Sequence, residues 1–272
     1  MGEITSTAKI SEEDKTQYEQ KTKVCQDRID EIKTKEENLL LLAKDYPEEA
    51  PIAHLALADE MLNLALCQID LDAVSKEHLG KKNEESLNEG RKSIYESIIY
   101  LENIVTDFVD APYSEYEENL DKIASFDAEQ RYALVEKMGD TIILLKGAYG
   151  DNTKWKWSFV DVDGRYAAVA KNILDLKKVV SNTDPRSPHY EPTVRHLRTV
   201  KELLNRAADR YREKYEMSTN RTDDFQKGIS FLRSLFRIHT LTGEKNEAAA
   251  IKRKHEIWKT KLEADIKSKK AR

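Results

Sequence analysis

The chain has 272 residues, 35% of them charged and 8% aromatic, with 9 glycines, 6 prolines, 2 cysteines and a formal net charge of -5. That length suffices to bury one or two cores, and the composition suits amphipathic helices with solvated outer faces rather than a sheet or a disordered chain. No stretch approaches the ~18 apolar residues of a membrane span.

Residues 1–10 carry no basic region followed by an apolar run, so they are predicted to be a disordered N-terminus of a cytoplasmic chain, removal of an export leader being the alternative. Ser11, followed by Glu12, Glu13 and Asp14, supplies a hydroxyl cap and acidic residues for the positive end of a helix. That helix is predicted to reach about Lys44, with Tyr18, Cys25, Ile29, Ile32 and Leu39 on its stripe and the run Leu39 to Leu42 buried on more than one side. DYPEEAP breaks it, and Pro51 suits the first turn of a second helix bearing Ile52, Leu55, Leu62, Leu66 and Ile69. Asp72 to Glu89 is polar and contains Gly80, which predicts an exposed connection or a poorly packed extension. Ile94, Ile98, Leu101, Val105 and Phe108 alternate four and three apart on the third helix.

After the break DFVDAPYSEY a short helix passes through Leu120 and Ile123, and Phe126 with Asp127 opens another, with Leu134, Met138, Ile142 and Leu145 buried. GAYGDNTKWKWSFVDVDG (147–164) is predicted to be the longest irregular stretch; Trp155 to Val162 alternates like a strand but has no obvious partner. Val169, Ile173, Leu176 and Val180 then share one face of a helix ending near Ser181, where Pro185 and Pro188 interrupt the ladder. The next stripe holds Val194, Leu197, Leu204, Ala208, Tyr211 and Tyr215. A helix with Phe225, Ile229, Leu232 and Phe236 follows, then a turn at Gly243 and a last helix with Ile251, Trp258, Leu262 and Ile266. About nine helices in successive antiparallel hairpins are expected over 11–266, with a sub-boundary near 181–190 and a basic tail at 267–272.

Little in the sequence carries chemistry. His54, His78, His189, His196, His239 and His255 are scattered, without metal-ligand spacing. Read as a calcium loop, Asp161-Val162-Asp163-Gly164 would put Phe159 and Ala170 where carboxylates are required. No phosphate loop, nucleophile elbow or CxxC occurs, so neither an enzyme nor a metal or cofactor is predicted. Cys25 and Cys67 read as buried free thiols, a disulfide being the alternative. Trp155 and Trp157 beside Lys154 and Lys156 have two readings, contact with a partner or packing on their own helices.

Three segments agree when laid side by side: ENLLLLAKDYPEEAPIAHLAL, YLENIVTDFVDAPYSEYEENL and ILDLKKVVSNTDPRSPHYEPTVRHL, each a helix end, an acidic break and a Pro before the next helix. These breaks, with Met138-Gly139, Tyr149 and the small residues Ala53, Ala56 and Ala58, resemble the tetratricopeptide and related αα-repeat families. The resemblance covers about residues 35–265 and implies a right-handed αα-hairpin solenoid. The breaks lie 61 and 76 residues apart, unlike that family's ~34, so either each unit holds extra helices or the repeats are degenerate. DYPEEAP and DPRSP are also similar to turns of bacterial envelope-assembly repeat proteins, and the helical style is similar to scaffolds of spirochaete flagellar motors.

The expectation is therefore a non-enzymatic scaffold in a larger assembly, holding a peptide or helix of another protein in a groove. The residues expected to touch it are Tyr149, Trp155 and Trp157, and the basic row Arg195, Arg198 and Arg206. Charge sets the alternative: residues 181–272 carry 22 Lys+Arg against 13 Asp+Glu, the remainder 23 against 37. Such polarity allows head-to-tail self-association, or binding of nucleic acid or another anionic surface through the basic C-terminal third.

Overall fold

A computed structural model describes residues 11–151 and 153–270 as ten α-helices, with no strand among the described residues. The segment 1–10, expected to be disordered, and the end of the basic tail at 271–272 lie outside the described residues. Two compact units divide the chain: the described residues up to Ser97 with Asp140–Asp151, and Ile98–Gly139 with the described residues from Thr153 onward. Residues 181–190 fall inside the second unit.

The first unit is centred on α2 (Ala50–Leu79), which buries Leu57, Ala58, Met61, Leu62 and Ala65. A helix apolar on all sides is one packed on all sides. Contrary to the expectation above, α2 is long and apolar enough by composition to cross a membrane, but half of its apolar window is buried within the protein. Helix α1 (Glu12–Asp45) begins where the Ser11 hydroxyl accepts from the Asp14 amide at 3.0 Å. Lys21 with Glu77 (2.8 Å) and Lys35 with Glu60 (3.2 Å) show that α1 runs antiparallel to α2. Only Ile29 and Ile32 of α1 are buried, whereas Leu40, Leu41 and Leu42 are exposed against expectation. Consecutive helical residues point 100° apart, so an edge helix packed on one partner cannot bury all three.

The polar stretch after Asp72 continues α2 to Leu79, where Gly80 takes the left-handed cap at φ 61°. Buried Asp72 accepts from the Asn83 amide at 2.8 Å, and Asn83 in turn accepts from the Ser86 amide to start α3 (Glu84–Ile104). Gly90 lets α3 approach α2: a Cβ there would stand 3.4 Å from the Ala65 carbonyl oxygen. The end of α5 (Ala128–Tyr149) completes the unit.

The second unit is centred on α6 (Lys156–Asn172), buried almost continuously from Phe159 to Asn172. Helix α8 (Tyr190–Lys214) packs on it, and α9 (Thr222–Leu241) and α10 (Lys245–Lys270) follow in sequence. Gly228 brings α9 to within 3.0 Å of the Ala208 carbonyl, measured from an added Cβ. A π turn at Tyr215–Thr219 and left-handed Asn220 (φ 49°) reverse the chain between α8 and α9. Phe225 stacks on Tyr215 at 5.0 Å and leans on Trp258 at 5.7 Å, joining the three helices. Helix α4 (Glu117–Lys122) precedes a capping box in which Asp127 and Gln130 each accept the other's amide, at 2.9 and 3.0 Å. Buried Arg131 donates to three carbonyls, Phe126 (2.7 Å), Ile123 (3.1 Å) and Ile173 (3.1 Å).

Three sequence expectations fail here. The irregular stretch predicted for 147–164, and the strand-like Trp155 to Val162 within it, are largely helix, because α5 runs to Tyr149 and α6 starts at Lys156. The stripe from Val169 to Val180 is not one helix: α6 stops at Asn172, Asp175 caps α7 (Leu176–Asn182), and Val180 is exposed. Phe108 does not close the stripe of α3, which ends four residues earlier.

Candidate functional site along the face of α9

The residues after α3, 105–112, form a strap held from two sides. From α6, Asn172 donates to the carbonyls of Thr106 (2.8 Å) and Phe108 (3.3 Å), and Lys171 to that of Ala111 (3.4 Å). From α9, Arg233 donates to an Asp110 carboxylate oxygen at 2.8 Å, while Arg237 meets the other at 3.1 Å and the Asp110 carbonyl at 3.0 Å. Four hydrogen bonds hold backbone carbonyls and two contacts hold the Asp110 carboxylate, yet the Phe108 side chain is 70% exposed. A large apolar side chain presented by an anchored backbone loses little conformational freedom on binding.

On one side of the strap lies a cleft of about 870 Å3, floored by Gly164, Ala168, Tyr211 and Phe231, with Phe108, Gln226 and Lys227 among its lining. Arg165 grips Glu102 at its edge through two guanidinium nitrogens, Nε to Oε1 at 2.8 Å and Nη2 to Oε2. Gly164 shapes the floor: with no side chain there, the hydroxyl end of the Tyr211 ring comes close to α6 while the ring stacks on Phe231 at 5.6 Å.

On the other side is a more apolar cleft of about 500 Å3, walled by Pro112, Tyr113, Leu176, Ile238 and Leu241. Of its polar lining, Arg237 is paired with Asp110, Lys177 with Glu117 and Tyr113 with Asp175, which leaves Lys171 and Ser234. Lys171, 4% exposed, donates to Tyr116 Oη at 3.0 Å and Asn172 Oδ1 at 2.9 Å besides Ala111, and has no carboxylate within ion-pair distance. Burial, with the Arg237 charge nearby, pushes its amine down to about 8. Ser234, buried on α9, has no hydrogen-bond partner for its hydroxyl. Burial also drives the Tyr116 hydroxyl well above the usual phenol range, so it stays a neutral partner for Lys171.

Of the residues expected to bind a partner, Tyr149 lies in the first unit, nearly buried, its hydroxyl donating to Asn88 at 2.9 Å. The other five lie in the second unit. Trp155 and Trp157 are half-buried at the start of α6, with Lys154 and Lys156 5.4 and 4.8 Å from their ring centres. Arg195, Arg198 and Arg206 are exposed on α8; Arg195 pairs with Glu191 at 2.8 Å, and Arg198 lines a further cleft with Val180, Leu197 and Leu241. The α9 face was not foreseen. Its one sequence signal was the apolar pair Phe108-Val109 inside an acidic break.

The model of the TP0443 family matches residues 14–266, and the chain belongs to that family. No curated protein and no solved structure matches it.

Proposed function

We propose that this member of the TP0443 family is a non-enzymatic helical scaffold that holds a segment of another protein against the face of α9. The observation carrying this reading is Phe108, a largely exposed aromatic on a strap held by Asn172, Arg233 and Arg237, beside a cleft with an aromatic floor. Peptide and helix ligands dock by inserting apolar side chains into such grooves, while charged rims set register. Glu102, Arg165 and Lys227 supply that rim. In this reading the hairpins form a right-handed tetratricopeptide-like series, and the assembly served is of the bacterial envelope or flagellar-motor kind. Trp155, Trp157 and the Arg195, Arg198, Arg206 row extend the contact surface.

The competing reading, an anionic-surface binder built on the basic C-terminal third, has less support. Lys201 pairs with Glu244, Arg210 with Glu213, Arg212 with Glu216, Lys254 with Asp209 and Lys261 with Asp265, so much of that positive charge is already matched. A photo-crosslinking amino acid placed at exposed Gln226, in cells, tests the preferred reading. One discrete protein adduct is expected, lost when Phe108→Glu is added and absent when the crosslinker sits at exposed Ile257 on α10. Adducts that are the same at Gln226 and Ile257, or that survive Phe108→Glu, would refute it.

A further inference from the structure

The smaller cleft beside the strap does not look like a continuation of a peptide groove. Its wall is apolar; beyond Arg237 and Lys177, which are ion-paired, it holds one buried cation with no carboxylate partner and one buried hydroxyl with no hydrogen bond. Proteins seldom bury a lysine with only neutral partners, since the ammonium loses its hydration without gaining a counter-charge. The three acceptors around Lys171, the Ala111 carbonyl, Tyr116 and Asn172, satisfy its N–H groups and leave its charge uncompensated. Asp110 on the strap acts on Lys171 from beyond ion-pair distance and is itself paired with Arg233 and Arg237. The Ser234 hydroxyl lines the same cleft and has no acceptor.

We infer that this cleft binds a small monocarboxylate with an apolar body, its head group against Lys171 and Ser234 and its body against Leu176, Ile238 and Leu241. A carboxylate supplies what both groups lack: a negative charge for the ammonium and a lone pair for the hydroxyl. The volume lies in the range of small-molecule sites, which are mostly apolar with a few placed polar groups. A neutral apolar molecule would leave the ammonium without a counter-charge, and a dianion's second charge would meet only Arg237 and Lys177, which already have carboxylate partners.

Binding is linked to protonation. The charged and titratable groups around Lys171 are Arg237 from α9, Asp110 from the strap and Tyr116 ahead of α4, with Lys177 of α7, paired with Glu117, and Tyr113, bonded to Asp175, in the same cleft. Asp110 stays paired and the Tyr116 phenol stays neutral, so Lys171 is the group whose protonation changes. A bound carboxylate holds Lys171 as ammonium, so affinity is full below pH 8 and falls by up to about tenfold per pH unit above it.

Titration calorimetry on the full chain with decanoate, 3-phenylpropanoate and 1-decanol tests this, the two acids separating alkyl from aryl bodies. At least one acid is expected to bind at pH 7 and weaken toward pH 9.5, with 1-decanol much weaker. Lys171→Met should weaken the acid by more than about thirtyfold, as loss of one partner of a buried charge pair does. Ser234→Ala should weaken it less. Circular dichroism checks that both variants fold; as a second route, Leu241→Trp at the cleft mouth should block binding without touching the polar pair. Equal binding of acid and alcohol, no binding of either acid, a pH-independent affinity, or indifference to Leu241→Trp would each overturn the inference. These probes do not involve Phe108, so the acid site and the crosslinking result stand or fall separately.

Discussion

Replacing Gly164 by alanine sets two effects of known size against each other. Glycine inside a helix costs about 1 kcal/mol relative to alanine, so on propensity alone the variant should be more stable. The added Cβ, however, would sit 2.5 Å from Tyr211 Cε2, 2.7 Å from its hydroxyl oxygen and 3.0 Å from Cζ. A free tyrosine would swing aside. Tyr211 cannot do so cheaply: its hydroxyl donates to Asp161 at 3.1 Å, its ring stacks on Phe231, and it is buried. Shifting it costs about 1–3 kcal/mol in overpacking and about 1 kcal/mol for the strained hydrogen bond. The net expectation is a loss of about 1–3 kcal/mol, or ~2–5 °C in Tm. Urea unfolding followed by circular dichroism reads the difference. Gly147→Ala is the internal control, since Gly147 is helical in α5 with nothing within 4 Å of an added Cβ; it should gain about 0.5–1 kcal/mol. If Gly164→Ala proves as stable as the parent or more so, the claim that Tyr211 is pinned is wrong.

Three further outcomes follow from buried groups and caps. Lys171 titrates near 8 in the folded chain against an ordinary 10.5, so between those values the unfolded chain holds more protons and stability should rise with pH. The rise is on the order of 3 kcal/mol across the window, and Lys171→Met should flatten it in denaturation series at stepped pH. His196, fully buried with Nε2 2.8 Å from the Ala170 carbonyl, is pushed by burial down to about 4 from 6.5. Its stabilising effect is complete above pH 6.5 and lost as pH falls toward 4, and the acid limb of a Tm-versus-pH curve should be shallower in His196→Gln. Asp127→Ala removes half of the capping box of α5 and should cost about 1 kcal/mol, measured as a lower urea midpoint with unchanged slope.

The helix starts and the cleaner stripes were legible because they rest on local chemistry. Ser11 caps α1, Pro51 sits in the first turn of α2, and Leu134, Met138, Ile142 and Leu145 are the buried face of α5. Helix α6 was not legible, for a physical reason: it is buried almost continuously after its first turn, and its few uncovered residues give no clear polar period. Its aromatic residues at 155, 157 and 159 fall two apart and imitate a strand, while Asp163, Lys171 and Asn172 are buried polar residues that a pattern reading takes as surface. The end of α6 was missed because Asp175, a cap and not a proline, restarts the chain as α7. The clefts were invisible for a further reason. Lys171 and Ser234 are 63 residues apart, and only packing puts them in one wall.

The Arg131 guanidinium ties together three separate pieces of chain. Helix α4 has six residues, too few to persist alone in water. Its end supplies Ile123, the start of α5 supplies Phe126, and the break after α6 supplies Ile173, all to one cation. Releasing any of these segments strands part of a buried charge, so partial opening costs nearly as much as opening them all. Amide hydrogens in α4 should therefore exchange with solvent at the slow rate of the α5 and α6 amides around it, in one cooperative event, rather than at the rate of a frayed surface turn.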